Sequence, residues 1–210
     1  SEGGIATITL NAPPANTYSY EMNRELDDAI LAARFDDSVH VIVLTGTSRN
    51  KPAKADFFCS GADIAVLAES RPSFMYNFCL HANETLNRLE HTPKLVIAAL
   101  NGHCVGGGLE VAMAADIRLA RRDAGKIGLP EVTIGMPLPF FATELARDRI
   151  SKRHYARVTA LGTMYDPDGA ADAGFLDEVL DGDPVAAAID RAQALTGISL
   201  SLIHIPEPTR

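Results

Sequence analysis

Cysteine is scarce and poorly spaced for any framework: Cys59, Cys79 and Cys104 are odd in number, with no CxxC pair and no histidine-rich setting. That excludes a disulfide scaffold and a zinc site, and it leaves the three as small buried hydrophobes of a reducing, cytoplasmic compartment. Positive charge is in the minority, 19 Lys and Arg against 27 Asp and Glu, so the net charge of −8 repels nucleic-acid backbones and anionic membranes. A small-molecule ligand is the better expectation. Long hydrophobic runs are lacking too, and LVIAAL at 95–100 is far too short to span a bilayer. No signal-peptide pattern is visible, although the chain opens on Ser1 rather than Met. Neither GxxxxGK[ST] nor GxGxxG occurs, which argues against a phosphate loop. His81, His91, His103 and His154 show neither metal-ligand nor triad spacing, so no metal site is expected.

What is there suits one folded domain: 210 residues, 47% of them hydrophobic. Residues 5–10 (IATITL) alternate and are β-branched, which predicts a strand closed by the turn at Pro13 and Pro14. Residues 20–34 set Met22, Leu26, Ile30 and Ala33 on one helical face, and 39–45 reads as a buried strand. A polar loop at 46–56 leads into a short aromatic run, and Pro72 opens a helix through 74–89. Further on, 93–100 predicts a strand, 105–115 an apolar helix, and 116–120 a strand with its mate near 175–180. Helices are expected at 140–149, 151–161, 168–173 and 184–194. Strands alternating with helices make the chain α/β, with no repeat or linker to mark a second domain.

The last residues, LSLIHIPEPTR at 200–210, match no element around them. They resemble the in-frame translation of a transposase-type sequencing adapter, LSLIHISEPTR, differing only at Pro206. The expected domain is therefore 1–199, with 200–210 not native and excluded from fold reasoning.

The stretch NGHCVGGGLEVAMAAD at 101–116 sets three glycines and a glutamate into an apolar run. Glycines at a strand-to-helix turn let backbone approach backbone, or let a ligand approach backbone N–H groups at a helix N-terminus. Close packing is the commoner reason. Glu110 is either an interior carboxylate, costly unless it is functional, or a first-turn residue favoured by the helix dipole. Glu131, in GLPEV, would by itself be a loop surface residue. Two half-buried glutamates at one pocket would differ, because repulsion and desolvation would raise at least one pKa and split them into acid and base.

The ordered set GIATITLN with PPAN, FFCSGADI, NGHCVGGGLE, ADIRLA, GLPE and AGFLDEV resembles the crotonase superfamily of enoyl-CoA hydratases and isomerases, from about residue 3 to about residue 195. The resemblance implies a spiral of ββα units, a trimer or dimer of trimers, and an acyl-CoA thioester as substrate, coenzyme A being part of that substrate and no other cofactor being needed. It implies that the thioester oxygen sits between the N–H groups of Ala62 and Gly107, and that Glu110 activates water for attack at Cβ while Glu131 protonates Cα. Ser60, Asp63 and Ile64 map onto the region that cradles coenzyme A, although Asp63 has a plainer reading as the cap of a short helix.

The chain departs from the best-known hydratases after the second glutamate, where GMPLPFFATEL at 135–145 replaces a glycine-rich turn and puts Phe140 and Phe141 near the acyl pocket. The C-terminal helices that finish the pocket and the oligomer in the family are expected to be missing. The basic run at 147–157 is a solvated helix face, a coenzyme A phosphate contact or, least favoured, an RNA site. The expected activity is hydration of a 2-enoyl-CoA; the rivals are a double-bond isomerase on the same scaffold and a non-catalytic acyl-CoA or RNA-binding relative.

Overall fold

The apolar runs predicted as strands are buried because both of their faces are covered. In the computed structural model, which describes residues 3–48 and 56–195, the chain runs β1 (Ile5–Leu10), α1 (Tyr20–Phe35), β2 (Val41–Gly46), β3 (Phe57–Cys59), α2 (Ile64–Glu69), α3 (Pro72–Glu90), β4 (Leu95–Leu100), β5 (His103–Val105) and α4 (Gly107–Met113). It continues through β6 (Ile117–Arg121), β7 (Ile127–Gly128), a 3₁₀ helix (Glu131–Ile134), α5 (Phe140–Arg149), α6 (Lys152–Thr159), α7 (Pro167–Ala173), β8 (Glu178–Leu180) and α8 (Pro184–Leu195). The part of the 46–56 loop at 49–55 and the tail at 200–210 lie outside the described residues.

After β1, which pairs with β2, successive strands from β2 onward are dealt alternately to two parallel sheets, one ordered β1-β2-β4-β6-β8 and the other β3-β5-β7. From β2 each turn thus contributes one strand to each sheet before helices carry the chain back, which makes a spiral. Along β2, Val41 and Val43 pack towards α8 with Ile97, Leu119, Ala188 and Ala192, whereas Ile42 and Leu44 point into the main core against α1, α3 and α4. Two-sided burial explains why these strands are continuously apolar rather than alternating.

The mate expected for residues 116–120 is β8, which pairs in parallel with β6. Three strands escaped the sequence reading, β3 at the short aromatic run being the first. The helix expected at 105–115 begins only at Gly107, and His103–Val105 before it is a strand. Three-residue β5 and two-residue β7 carry no usable periodicity; they exist because β5 finds β3 on one side and β7 on the other. Cys59 and Cys104 are buried as expected, but Cys79 is exposed on α3, so the buried-hydrophobe reading fails for it. In the basic run, Arg147, Arg149 and Arg153 meet Glu144, Glu90 and Asp172, as in a solvated, ion-paired face.

Candidate functional site

The small sheet builds the site. Cys59 of β3 is level with Cys104 of β5, and Cys104 is level with Ile127 of β7, so three turns separated by up to 70 residues leave the sheet side by side at its carboxyl edge. The first turn carries Ser60, Gly61 and Ala62, the second Gly106 to Gly108, and the third Glu131; Gly106 N donates to Gly128 O at 3.0 Å, tying the second to the third. Carboxyl edges of parallel strands are where ligands meet α/β sheets.

Each glycine of the triplet has its own reason. Gly106 has φ +55°, and a Cβ there would stand 2.6 Å from Glu131 Oε1, so the missing side chain is space for that carboxylate. Gly107 opens α4, so its N–H has no carbonyl one turn back. A Cβ on Gly107 would meet nothing closer than 3.8 Å, the nearest atoms being the Ala62 nitrogen and Tyr18 Cδ1. Among the described residues, neither the Ala62 nor the Gly107 N–H donates to a backbone carbonyl. Gly108 is a close-packing glycine: a Cβ would fall 2.6 Å from Cys59 Cβ and 2.7 Å from Cys59 O. Close packing is thus met at Gly108, while Gly107 leaves open space beside the Ala62 nitrogen. Gly108→Ala is expected to push α4 off β3, to cost about 1–3 kcal/mol in denaturant unfolding, and to lower activity because Gly107 and Glu110 ride on that helix.

Glu110 lies one turn into α4 and is only 7% exposed. Burial, reinforced by the charge of Glu131, pushes its carboxyl up from 4.5 to about 8. Glu131 heads the 3₁₀ helix; burial raises its carboxyl too, and its Oε2 is buried without a hydrogen bond from the protein. No positive charge enters among the causes of either shift. Both carboxyls, with Ala62 and Gly107, line one cavity of about 490 Å³. Apart from Asn83 and Tyr18, its remaining wall is apolar, with Met75, Phe78, Cys79 and Ala82 from α3 and Leu138 and Phe141 from the segment after Glu131. α3 is clamped to α1 by Arg88 Nε, 2.7 Å from Asp27 Oδ1.

The three remaining candidates stand apart from this cavity. Asp63 caps α2, accepting from the N–H groups of Ala65 and Val66 at 3.1 Å, which is its plainer reading. Ser60 Oγ lies 3.3 Å from Thr17 Oγ1, and Ile64 is exposed on α2. Residues that sequence reasoning missed are Tyr18 and the α3 wall; the only signal for the wall was that Met75, Cys79, Phe78 and Ala82 form an apolar stripe wider than one core face requires. Among the described residues no cluster of His, Cys, Asp and Glu could hold a metal ion, and no helix is long and apolar enough to cross a membrane.

A cavity with two free N–H groups at one end and two uncompensated carboxyls beside them is suited to an acyl group whose oxygen gains negative charge while a proton moves. Known proteins share this architecture. The profile of the family described as Enoyl-CoA hydratase/isomerase matches residues 1–204. The short-chain-enoyl-CoA hydratase of Clostridium acetobutylicum is 36% identical over 144 residues, which are 68% of this chain and 52% of that protein. Human mitochondrial enoyl-CoA delta isomerase 1 is 28% identical over 208 residues, 99% of this chain and 65% of that one. The chain thus spans about half the length of the first relative and under two thirds of the second. The crystal structure of an enoyl-CoA hydratase from Geobacillus kaustophilus superposes with a TM-score of 0.86 at 32% identity, covering 98% of this chain and 80% of that one. With its spiral of parallel sheets superposed on a solved relative and its length matched by the profile, this chain belongs to the enoyl-CoA hydratase/isomerase family and has the crotonase fold.

Proposed function

We propose that the chain is an enoyl-CoA hydratase, adding water across the double bond of a 2-enoyl-CoA thioester. The observation that carries this reading is that Glu110 and Glu131 line one cavity together with Ala62 and Gly107. A carboxylate of the pair takes a proton from water as the water oxygen bonds to Cβ. The π electrons move to the thioester oxygen, held by the two N–H groups, and the carboxylic acid of the pair gives its proton to Cα. The pair ends with the one proton it began with.

The resemblance assigns water activation to Glu110 and Cα protonation to Glu131, while burial favours the proton on Glu110 in the free protein. In a coupled pair the proton belongs to both, and the assigned roles require it on Glu131 once water and thioester are bound. Activity then requires a singly protonated pair. As pH rises through about 8 that proton is lost, so kcat/KM for hydration is expected to fall on the alkaline side. A pH profile of initial rates checks this; a rate that keeps climbing past that point counts against a protonated carboxyl in the reaction.

The alternative is a double-bond isomerase, in which Glu131 alone shuttles a proton and the apolar wall of Leu138 and Phe141 keeps water out. The two reactions have opposite optical signs. A hydratase bleaches the conjugated absorbance of a short 2-enoyl-CoA, whereas an isomerase creates it from the 3-enoyl isomer. Bleaching without growth supports the hydratase, and growth without bleaching replaces it by the isomerase.

A further inference from the structure

Tyr18 is tied to the candidate site by its backbone, its ring and its hydroxyl, and no role has been assigned to it above. Its residue is 4% exposed yet lines the cavity. The ring borders the same space as the Ala62 nitrogen, since a Cβ on Gly107 would stand 3.8 Å from both the Ala62 nitrogen and Tyr18 Cδ1, and 3.9 Å from Tyr18 Cβ. The hydroxyl turns away from that point and donates a short hydrogen bond to Asn23 Oδ1 in the core. It therefore offers no third donor to an oxygen at the N–H groups, and burial, with the Glu110 charge nearby, pushes the phenol far above its usual range and keeps it neutral.

The backbone of the same segment holds the Ala62 turn. Tyr18 N donates to Gly61 O at 2.8 Å, Tyr18 and Ala62 form a parallel bridge, and Ser60 N donates to Ala15 O at 3.1 Å. On its other side the Tyr18 ring meets Phe78 of α3, with centroids 6.1 Å apart and planes tilted by 53°. Tyr18 thus joins the oxyanion end of the cavity to its apolar wall.

We propose that Tyr18 is a positioning residue for the acyl thioester, its ring forming the dry wall that presses the carbonyl onto the Ala62 and Gly107 N–H groups. The inference rests on the acyl-thioester reading of the site. Its physical basis is that hydrogen bonds to a developing oxyanion are worth most where water is excluded and the geometry is set beforehand. An aromatic face with its polar end engaged elsewhere does both.

The probe is a conjugated aryl-enoyl thioester of coenzyme A, whose absorption band moves to the red when its carbonyl is polarised. Bound to the parent chain it shifts. Tyr18→Phe keeps the ring, so band shift and kcat stay close to parental while Tm falls, because Asn23 Oδ1 loses its donor. Tyr18→Ala loses most of the shift, and kcat drops on the order of 10- to 100-fold with a much smaller change in KM. Tyr18→Leu, which retains bulk to support the fold, falls between them and carries the test if the alanine variant does not fold. A merely structural role would lower Tm in all three and leave the band of the folded fraction unmoved. Parental shifts in the leucine and alanine variants overturn the proposal, as does a phenylalanine variant as damaged as the alanine one. A parent that shifts the band without hydrating any 2-enoyl-CoA sinks the hydratase reading alone, since the variants are still ranked by the band. A parent that gives no shift overturns the thioester site and Tyr18 with it.

Discussion

Glu110→Gln is expected to lower hydration of a 2-enoyl-CoA by about 10²- to 10⁴-fold, the range typical of a lost general acid or base. Gln keeps the size and polarity of the side chain, so coenzyme A thioester binding should persist and the loss should fall on kcat. An isomerase depending on Glu131 alone would be much less affected, which makes this substitution the sharper discriminator between the two activities. The same change should raise stability at alkaline pH. The folded-state value of about 8 lies above the ordinary 4.5, so the folded chain holds a proton that the unfolded chain gives up. The parent's stability from this group is fully present below 4.5 and is lost as pH rises through about 8. Gln has no proton to lose. The Tm of the variant minus that of the parent should therefore grow across that window and level off above it, which thermal melts at a series of pH values would measure. A gap that shrinks with rising pH would mean that Glu110 is paired and not stranded.

Gly107→Ala should silence the site while leaving the fold intact. Its Cβ would find only ordinary contacts, the nearest at 3.8 Å, and alanine is the better helix former by roughly 1 kcal/mol, so Tm should hold or rise. The methyl group, however, would stand 3.8 Å from the Ala62 nitrogen, in the space proposed for the thioester oxygen. Loss of one oxyanion donor typically costs about 10²- to 10³-fold in kcat, and a loss of that order is expected here. The contrast with Gly108→Ala, one residue on, is the informative part: there the added carbon meets the backbone of Cys59, and stability falls first. A Gly107 variant with parental kcat would place the thioester oxygen elsewhere.

Much of this protein is written in its local pattern. The strands at 5–10 and 95–100 and the helices at 20–35, 72–90 and 140–149 follow from periodicity, β-branching and the proline at 72, because burial of apolar side chains acts residue by residue along the chain. The order of SGAD, GGGLE and PE motifs was enough for the resemblance to the family to which the chain belongs. Which glycine served packing and which left a donor open was not legible there, since Gly107 and Gly108 are identical in sequence and differ only in what lies opposite, a cavity in one case and Cys59 in the other. The strands at 57–59, 103–105 and 127–128 were invisible for a related reason: they are too short to have a period and exist only as partners in a parallel ladder. That ladder is also what brings Ala62, Glu110 and Glu131 to one cavity, and what places Tyr18 against them from a segment with no motif of its own. Sequence alone determined the longer elements, the family and the candidate chemistry, because those depend on side-chain type and spacing. Only the tertiary structure decided the depth of burial that lifts Glu110 and the wall of the cavity, because desolvation and contact depend on what other parts of the chain bring close.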